Sequence, residues 1–157
     1  MTKTVVIGVG NRLRGDDAAG VAVAERLRER VPEGVEVVAC DEEPSRLIEA
    51  WEGADSVVLV DTISSGAPPG TLHRFDADEE AVPARTFRSS THAIGIPDTI
   101  ELARALGRLP RRVRVYGLEA ESVAVGSGLT PAVESAVGFL VDAVLHDLKE
   151  ERCTNAR

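Results

Sequence analysis

A glycine-rich segment followed by two adjacent aspartates is the strongest chemical signal in this sequence of 157 residues. It lies where an apolar run passes into a helical pattern and reads Gly8-Val9-Gly10-Asn11-Arg12-Leu13-Arg14-Gly15-Asp16-Asp17. A dinucleotide fingerprint needs glycine where Leu13 stands, and a phosphate loop needs Lys and Ser/Thr where Asp16 and Asp17 stand. Two carboxylates repel a phosphate, so the segment suits a cation or a protonated group instead.

A third acid is placed to join this pair. Asp61 follows an apolar run, Val57-Val58-Leu59-Val60, and so lies at the carboxyl end of a predicted parallel strand, where open α/β sheets bind ligands. If this strand neighbours the first one, Asp17 and Asp61 face one crevice. Structural roles remain open for each acid: Asp16 can cap the helix, Asp17 can favour its dipole, and Asp61 can bond local backbone.

His92 is the histidine best placed for chemistry. It lies in the segment Ser89-Ser90-Thr91-His92-Ala93-Ile94-Gly95, directly before a predicted helix and at the end of a long stretch without periodicity that begins at Asp76. Such stretches are often functional, although a histidine in a loop can also be an ordinary surface residue. Asp17, Asp61 and His92 together form an O/O/N donor set that suits a borderline divalent metal with open positions.

Other hydrolytic schemes fit less well. The sequence has no H-E-x-x-H and no G-x-S-x-G motif. Cys40 ends an apolar strand and Cys153 lies in the tail, which disfavours a thiol protease. Asp61-Thr62-Ile63 resembles an aspartic-protease motif without its glycine, so a carboxylate pair stays open as a second scheme.

Apolar runs of strand length alternate with helix-period segments, which predicts an α/β fold. We expect a single-domain three-layer αβα sandwich around a mostly parallel, roughly five-stranded twisted sheet, formed by residues 1–150, with a frayed polar tail at 151–157. The predicted strands cover 4–9, 35–39, 56–60, 70–75 and 113–117, and the alternation in the last one predicts a partly exposed position. A helix begins near Asp16, and the last helix begins with Thr130 as N-cap and Pro131 in the first turn.

Composition excludes several kinds of partner. The chain has 18 Lys and Arg against 26 Asp and Glu, a formal net charge of -8, which repels phosphate backbones and argues against nucleic acid as a partner. No apolar run approaches the length of a membrane span. Two cysteines without C-x-x-C spacing suit a reducing compartment, so we expect a cytoplasmic protein.

Five motifs, in this order, resemble one protein family, the [NiFe]-hydrogenase maturation endopeptidases. They are Gly8-Val9-Gly10-Asn11-x-Leu13-x-x-Asp16-Asp17-x-x-Gly20, the strand ending in Asp61, Ser90-x-His92 followed by Gly95, Gly117-Leu118-Glu119-x-x-Ser122, and Gly128-Leu129-Thr130-Pro131. The resemblance implies a small α/β protein that removes a C-terminal peptide from the hydrogenase large subunit after nickel insertion. It also implies that Asp17, Asp61 and His92 contact the metal.

Two segments depart from the family pattern. Asp41-Glu42-Glu43-Pro44-Ser45 stands where the family often has an Asp-Gly-Gly-Thr loop, and Ala120 replaces a proline. A non-catalytic nickel-dependent assembly chaperone for the large subunit would use the same ligands and stays open as an alternative. A nucleotide or sugar binder would need a phosphate site, against which Asp16 and Asp17 argue. With three ligands and no nearby thiolate, we expect nickel to be carried by the substrate and not permanently bound.

Overall fold

The computed structural model describes residues 2–83 and 95–156 of the chain. Within them the chain forms five strands and four helices: β1 (Thr4–Val9), α1 (Ala19–Leu27), β2 (Val35–Cys40), α2 (Pro44–Trp51), β3 (Ser56–Ile63), β4 (Leu72–Asp76), α3 (Ile96–Ala105), β5 (Arg112–Glu119) and α4 (Pro131–Asn155). A 3₁₀ turn, Gly15–Ala18, precedes α1. No helix in this part of the chain is both long enough and apolar enough to cross a bilayer.

The five strands form one sheet in the order β2-β1-β3-β5-β4, in which only β4 runs antiparallel to its neighbour. The predicted α/β class and mostly parallel five-stranded sheet are therefore confirmed. The first and third strands are neighbours, as the crevice hypothesis required, and Gly8 of β1 pairs with Val60 of β3. The carboxyl ends of β2, β1 and β3 consequently lie side by side at one edge of the sheet.

Helices cover both faces of the sheet and divide the core in two. Val6, Val58 and Val60 pack with side chains of α1 and α4 on one face. Val5 and Leu59 pack with side chains of α2 and α3 on the other. Because successive strand residues point to opposite faces, runs such as 57–60 must be apolar throughout to fill both halves of the core.

Two glycines let α1 lie directly on β1. A Cβ added at Gly20 would lie 2.3 Å from the carbonyl oxygen of Val9, and one added at Gly8 would lie 2.1 Å from the carbonyl oxygen of Gly20. Real side chains do not approach backbone so closely, so both positions need glycine for this contact. The contact brings the 3₁₀ turn before α1 to the carboxyl edge of the sheet.

The partly exposed position predicted for the fifth strand is wrong. β5 lies between β3 and β4, and its residues from Val115 onward are buried. The polar members of the alternation belong to its amino end, where Arg114 forms salt bridges with Asp76, Asp147 and Glu151. A charged residue in an interior strand is possible here because these acids satisfy it.

Two predicted helix boundaries also differ. Asp16 and Asp17 lie in the 3₁₀ turn, and α1 begins only at Ala19. At the other end of the chain, α4 continues to Asn155, through most of the segment for which a frayed tail was expected. Glu151 lies 3.4 Å from the Ser56 hydroxyl as well as in the Arg114 salt bridge, contacts that connect this last part of the helix to the sheet.

Candidate functional site

Carboxylates from three separate segments meet at the carboxyl edge of the sheet. One oxygen of each of Asp17, Glu42 and Asp61 lies within 4.8 Å of the others. Asp17 comes from the turn after β1, Glu42 from the connection after β2, and Asp61 from β3. His92 lies outside the described residues. The structure therefore brings together the two acids that the sequence singled out and adds a third.

The carboxylate of Asp17 accepts hydrogen bonds from the backbone of its own loop and from a side chain of β3. Its Oδ2 accepts a hydrogen bond of 3.2 Å from the N–H of Asn11, and its Oδ1 accepts one of 3.1 Å from the hydroxyl of Thr62. Gly10 makes the turn possible, because it has a φ of 154° and a Cβ there would lie 1.9 Å from the carbonyl oxygen of Asp17. The orientation of this carboxylate is thus set by the local backbone and by β3.

Asp61 is the most deeply buried of the three acids, with 1% of its surface exposed. Its Oδ1 accepts a hydrogen bond of 2.7 Å from the N–H of Thr62. Burial raises the pKa of Asp61 well above its ordinary value, and the nearby charges of Glu42 and Asp17 raise it further. A carboxyl group in this environment keeps its proton to a higher pH than an ordinary aspartate does, and it can release the proton when a cation takes its place.

Glu42 is the site residue that sequence analysis missed. It belongs to the acidic segment noted above as a departure from the family pattern, and its side chain hydrogen-bonds to Asp61. Burial raises the pKa of Glu42, and the charge of Asp17 raises it further. Its position shortly after a predicted parallel strand was a usable signal, because parallel strands end at the same edge of a sheet. That β2 is the neighbour of β1 came only from the structure.

Asp16 has a structural role, but it does not cap the helix that follows it. No side-chain cap hydrogen bond is present at the turn or at α1. Its carboxylate instead accepts hydrogen bonds from the N–H groups of Glu121, Ser122 and Thr130. Burial alone would raise the pKa of Asp16, but the hydrogen bonds from these residues outweigh it and lower the pKa below its ordinary value.

The thiol closest to the site is poorly suited to nucleophilic attack. Cys40 ends β2 and forms no disulfide. Burial, together with the charge of Asp41, raises the pKa of this thiol to about 11. Since the thiolate is the reactive form, Cys40 is almost entirely unreactive near neutral pH. This agrees with the expectation that the chain is not a thiol protease.

The donor set fits a divalent cation. Among the described residues, no Lys or Arg forms a salt bridge with Asp17, Glu42 or Asp61, although the charge of Arg14 is near enough to lower the pKa of Glu42. Buried carboxylates need a proton, a cationic side chain or a metal to offset their charge. Oxygen ligands on three segments can supply one side of a coordination sphere while leaving the other side open.

Comparisons with known proteins agree with one another. The sequence profile of the hydrogenase maturation protease family matches residues 21–147. The hydrogenase 2 maturation protease of Escherichia coli (strain K12) is 32% identical over 151 residues, which cover 94% of this chain and 92% of that protein. The HoxM hydrogenase expression/formation protein of Azotobacter vinelandii is 30% identical over 149 residues, covering 88% of this chain and 72% of its own.

Solved structures show the same relationship. The hydrogenase maturating endopeptidase HybD from E. coli superposes with a TM-score of 0.81 at 32% identity, covering 96% of this chain and 94% of its own. The [NiFe] hydrogenase maturation protease HycI from Thermococcus kodakarensis superposes with a TM-score of 0.74 at 28% identity, covering 94% of this chain and 93% of its own. From its fold, its matched profile and these relatives, the chain belongs to the hydrogenase maturation protease family and is a hydrolase of the endopeptidase class.

Proposed function

We propose that this protein removes the C-terminal extension of a [NiFe]-hydrogenase large-subunit precursor after nickel has been inserted. The observation that carries the proposal is the meeting of Asp17 and Asp61, which lie with Glu42 at one edge of the sheet within 4.8 Å of one another. This edge is where open α/β sheets place their ligand sites. The family supplies the reaction class, and the acids supply a means of sensing a metal.

In this proposal nickel is part of the substrate. Asp17, Asp61 and His92 recognise it, and Glu42 adds negative charge beside them. Burial and the charges of its neighbours raise the pKa of Asp61, which favours its protonated form while the site is without a cation. A precursor that brings in positive charge displaces this proton, so the carboxylates become available as ligands only when loaded substrate docks.

The cation requirement gives the enzyme selectivity for finished substrate. A precursor without nickel brings no positive charge to compete with the proton of Asp61 or to offset the charges of Asp17 and Glu42. It therefore gains no favourable contact with the acids, and its docking is weaker. We propose that such a precursor is therefore left uncut, and that the enzyme on its own binds free divalent ions weakly. The absence of a disulfide at Cys40 and Cys153 is compatible with work in the cytoplasm, where we propose that cleavage takes place.

The test compares nickel-loaded with nickel-free large-subunit precursor, each incubated with the purified protein and analysed by intact mass. We expect the loaded precursor to lose a C-terminal peptide that appears as a separate product, and the nickel-free precursor to keep its mass. Unchanged mass of both would favour the assembly-chaperone alternative. Equal cleavage of both would show that nickel is not recognised.

A second measurement concerns the metal itself. The protein is dialysed extensively and its metal content is determined by elemental analysis. We expect less than stoichiometric nickel or zinc, since three ligands with open positions exchange ions readily. Stoichiometric retained metal would contradict the proposal that nickel arrives with the substrate.

A further inference from the structure

We propose that Thr62 is the positioning residue of the site, the group that holds Asp17 and Asp61 in one geometry. The inference rests on the proposed function, because it assigns Thr62 a role through these two acids. The backbone N–H of Thr62 donates to Oδ1 of Asp61 at 2.7 Å, and its hydroxyl donates to Oδ1 of Asp17 at 3.1 Å. A single residue thus donates to both carboxylates.

The sheet geometry explains how Thr62 can contact the carboxylates of both Asp17 and Asp61. Asp61 and Thr62 are successive strand residues, so their side chains leave opposite faces of β3. Asp61 lies on the side of α2, where Glu42 reaches it, and Thr62 lies on the side of α1, from which Asp17 approaches. The two carboxylates therefore arrive from different faces, and Thr62 contacts one through its backbone and the other through its side chain.

The hydrogen bond from the Thr62 hydroxyl to Asp17 is shielded from solvent. Thr62 has none of its surface exposed, so its hydroxyl is not exchanging between water and protein partners. The Asp17 bond joins residues 45 positions apart and is a side-chain hydrogen bond between the 3₁₀ turn and β3. Without it, the described residues would leave the Asp17 carboxylate with only the backbone bond from Asn11, so its orientation towards Asp61 would be held less firmly.

Residues that orient metal ligands without touching the metal typically contribute about 10- to 100-fold in metal affinity or activity. We therefore expect Thr62→Val, which keeps the shape and removes the hydroxyl, to weaken Co²⁺ binding about 10- to 100-fold. Thr62→Ser keeps the hydroxyl and should bind Co²⁺ nearly as the wild type does. Co²⁺ is the probe because its visible absorption reports both affinity and ligand geometry.

The experiment measures Co²⁺ titrations, thermal unfolding and processing of nickel-loaded precursor for the full-length protein and each variant. Thr62→Ala is included because it removes the hydroxyl without adding bulk, in case valine disturbs folding. Thr71→Val is the matched control, since it loses a hydroxyl bond of 2.6 Å to the carbonyl oxygen of Pro68, away from the acids. The control should leave the Co²⁺ affinity and spectrum unchanged.

The outcomes separate this inference from the proposed function. Folded Thr62→Val or Thr62→Ala with wild-type Co²⁺ affinity would overturn the positioning role, as would a Thr62→Ser variant as weak as they are. If the wild type and its variants bind Co²⁺ in the expected order of affinity but the wild type cuts no precursor, only the proposed function is contradicted. If Thr62→Ala loses Co²⁺ affinity and Thr62→Ser retains it, the inference is supported, because a role in packing alone would not require the hydroxyl.

Discussion

The carboxylate of Asp16 holds the amino end of α4, with its Oδ1 accepting a hydrogen bond of 2.8 Å from the N–H of Thr130. The two residues are 114 positions apart. The hydroxyl of Thr130 also lies within 3.0 Å of both carboxylate oxygens. Asp16, the residue before Asp17, therefore connects the 3₁₀ turn to α4.

This connection predicts a large effect on stability for Asp16→Asn. The variant loses charge-assisted hydrogen bonds to buried donors, so we expect unfolding to become easier by about 2–3 kcal/mol at pH 7. The pKa of Asp16 is lowered in the folded state, so its contribution is present above its unfolded pKa and is lost as pH falls through the folded value. Urea denaturation should show the gap to the wild type at pH 7 and a narrower gap in acid.

Asp142→Asn is the control for that measurement. Asp142 pairs with Arg30 at 3.3 Å, and 69% of its side chain is exposed. Exposed ion pairs contribute about 0–1 kcal/mol, so this variant should unfold close to the wild type. Equal effects at Asp16 and Asp142 would contradict the structural role of Asp16.

Gly20 is predicted to tolerate no side chain. A Cβ there would lie 2.3 Å from the carbonyl oxygen of Val9 and 2.6 Å from that of Val60. Gly20→Ala should therefore lower the free energy of unfolding by about 3 kcal/mol, the upper end of the usual cost of overpacking. Gly138→Ala in α4 is the control, because nothing lies within 4 Å of its Cβ and alanine favours helix by up to about 1 kcal/mol. A stable Gly20→Ala protein would contradict the tight packing of α1 on β1.

The three ligands of the proposed site should be essential for cleavage and dispensable for folding. We expect Asp17→Asn, Asp61→Asn and His92→Gln each to reduce processing of nickel-loaded precursor at least about 100-fold, while circular dichroism shows that each variant still folds. A variant that unfolds would identify a structural residue. If all three variants fold and cut at the normal rate, the site assignment is wrong.

Glu42 should contribute to cation affinity, and the neighbouring Glu43 should not. Glu42→Gln keeps the shape of the side chain and removes one charge from the cluster, so we expect Co²⁺ to bind about tenfold more weakly, a loss of about 1.4 kcal/mol. Glu43 is exposed and contacts Ser45 and Arg46, so Glu43→Gln serves as the matched control. Equal affinities for the two variants would show that Glu42 lies near the site without acting in it.

Asp61 should make the metal-free protein less stable as pH rises. Its folded pKa is raised, so the folded state binds more protons than the unfolded state between the two pKa values, and stability falls with increasing pH across that window. Asp61→Asn should remove the contribution of Asp61 to this slope and be more stable than the wild type at pH 7.5. The comparison is made by urea denaturation in chelator. Below the unfolded pKa of aspartate, about 3.9, the difference should vanish, and a gap that persists there would have another cause.

Local sequence determined much of the fold. The mostly β-branched run at 4–9 and the apolar run at 57–60 predicted strands buried on both faces, because nearly every position in them is apolar. Thr130 and Pro131 marked the start of α4 for reasons of backbone geometry that act within one turn. The sequence also pointed to Asp17 and Asp61 together, since Asp17 lies in the segment after the first predicted strand and Asp61 follows the third. Their meeting still required the two strands to be neighbours.

Tertiary structure decided the remaining contacts, because they join segments distant along the chain. Asp16 could be predicted to accept N–H bonds near a helix start, but its partners at 121, 122 and 130 are brought to it only by the packing of α4. Glu42 reaches Asp61 because β2 lies beside β1, which the sequence pattern of β2 does not specify. Thr62 contacts two acids from opposite faces of the sheet, a relation that exists only once α1 and β3 are docked through Gly20.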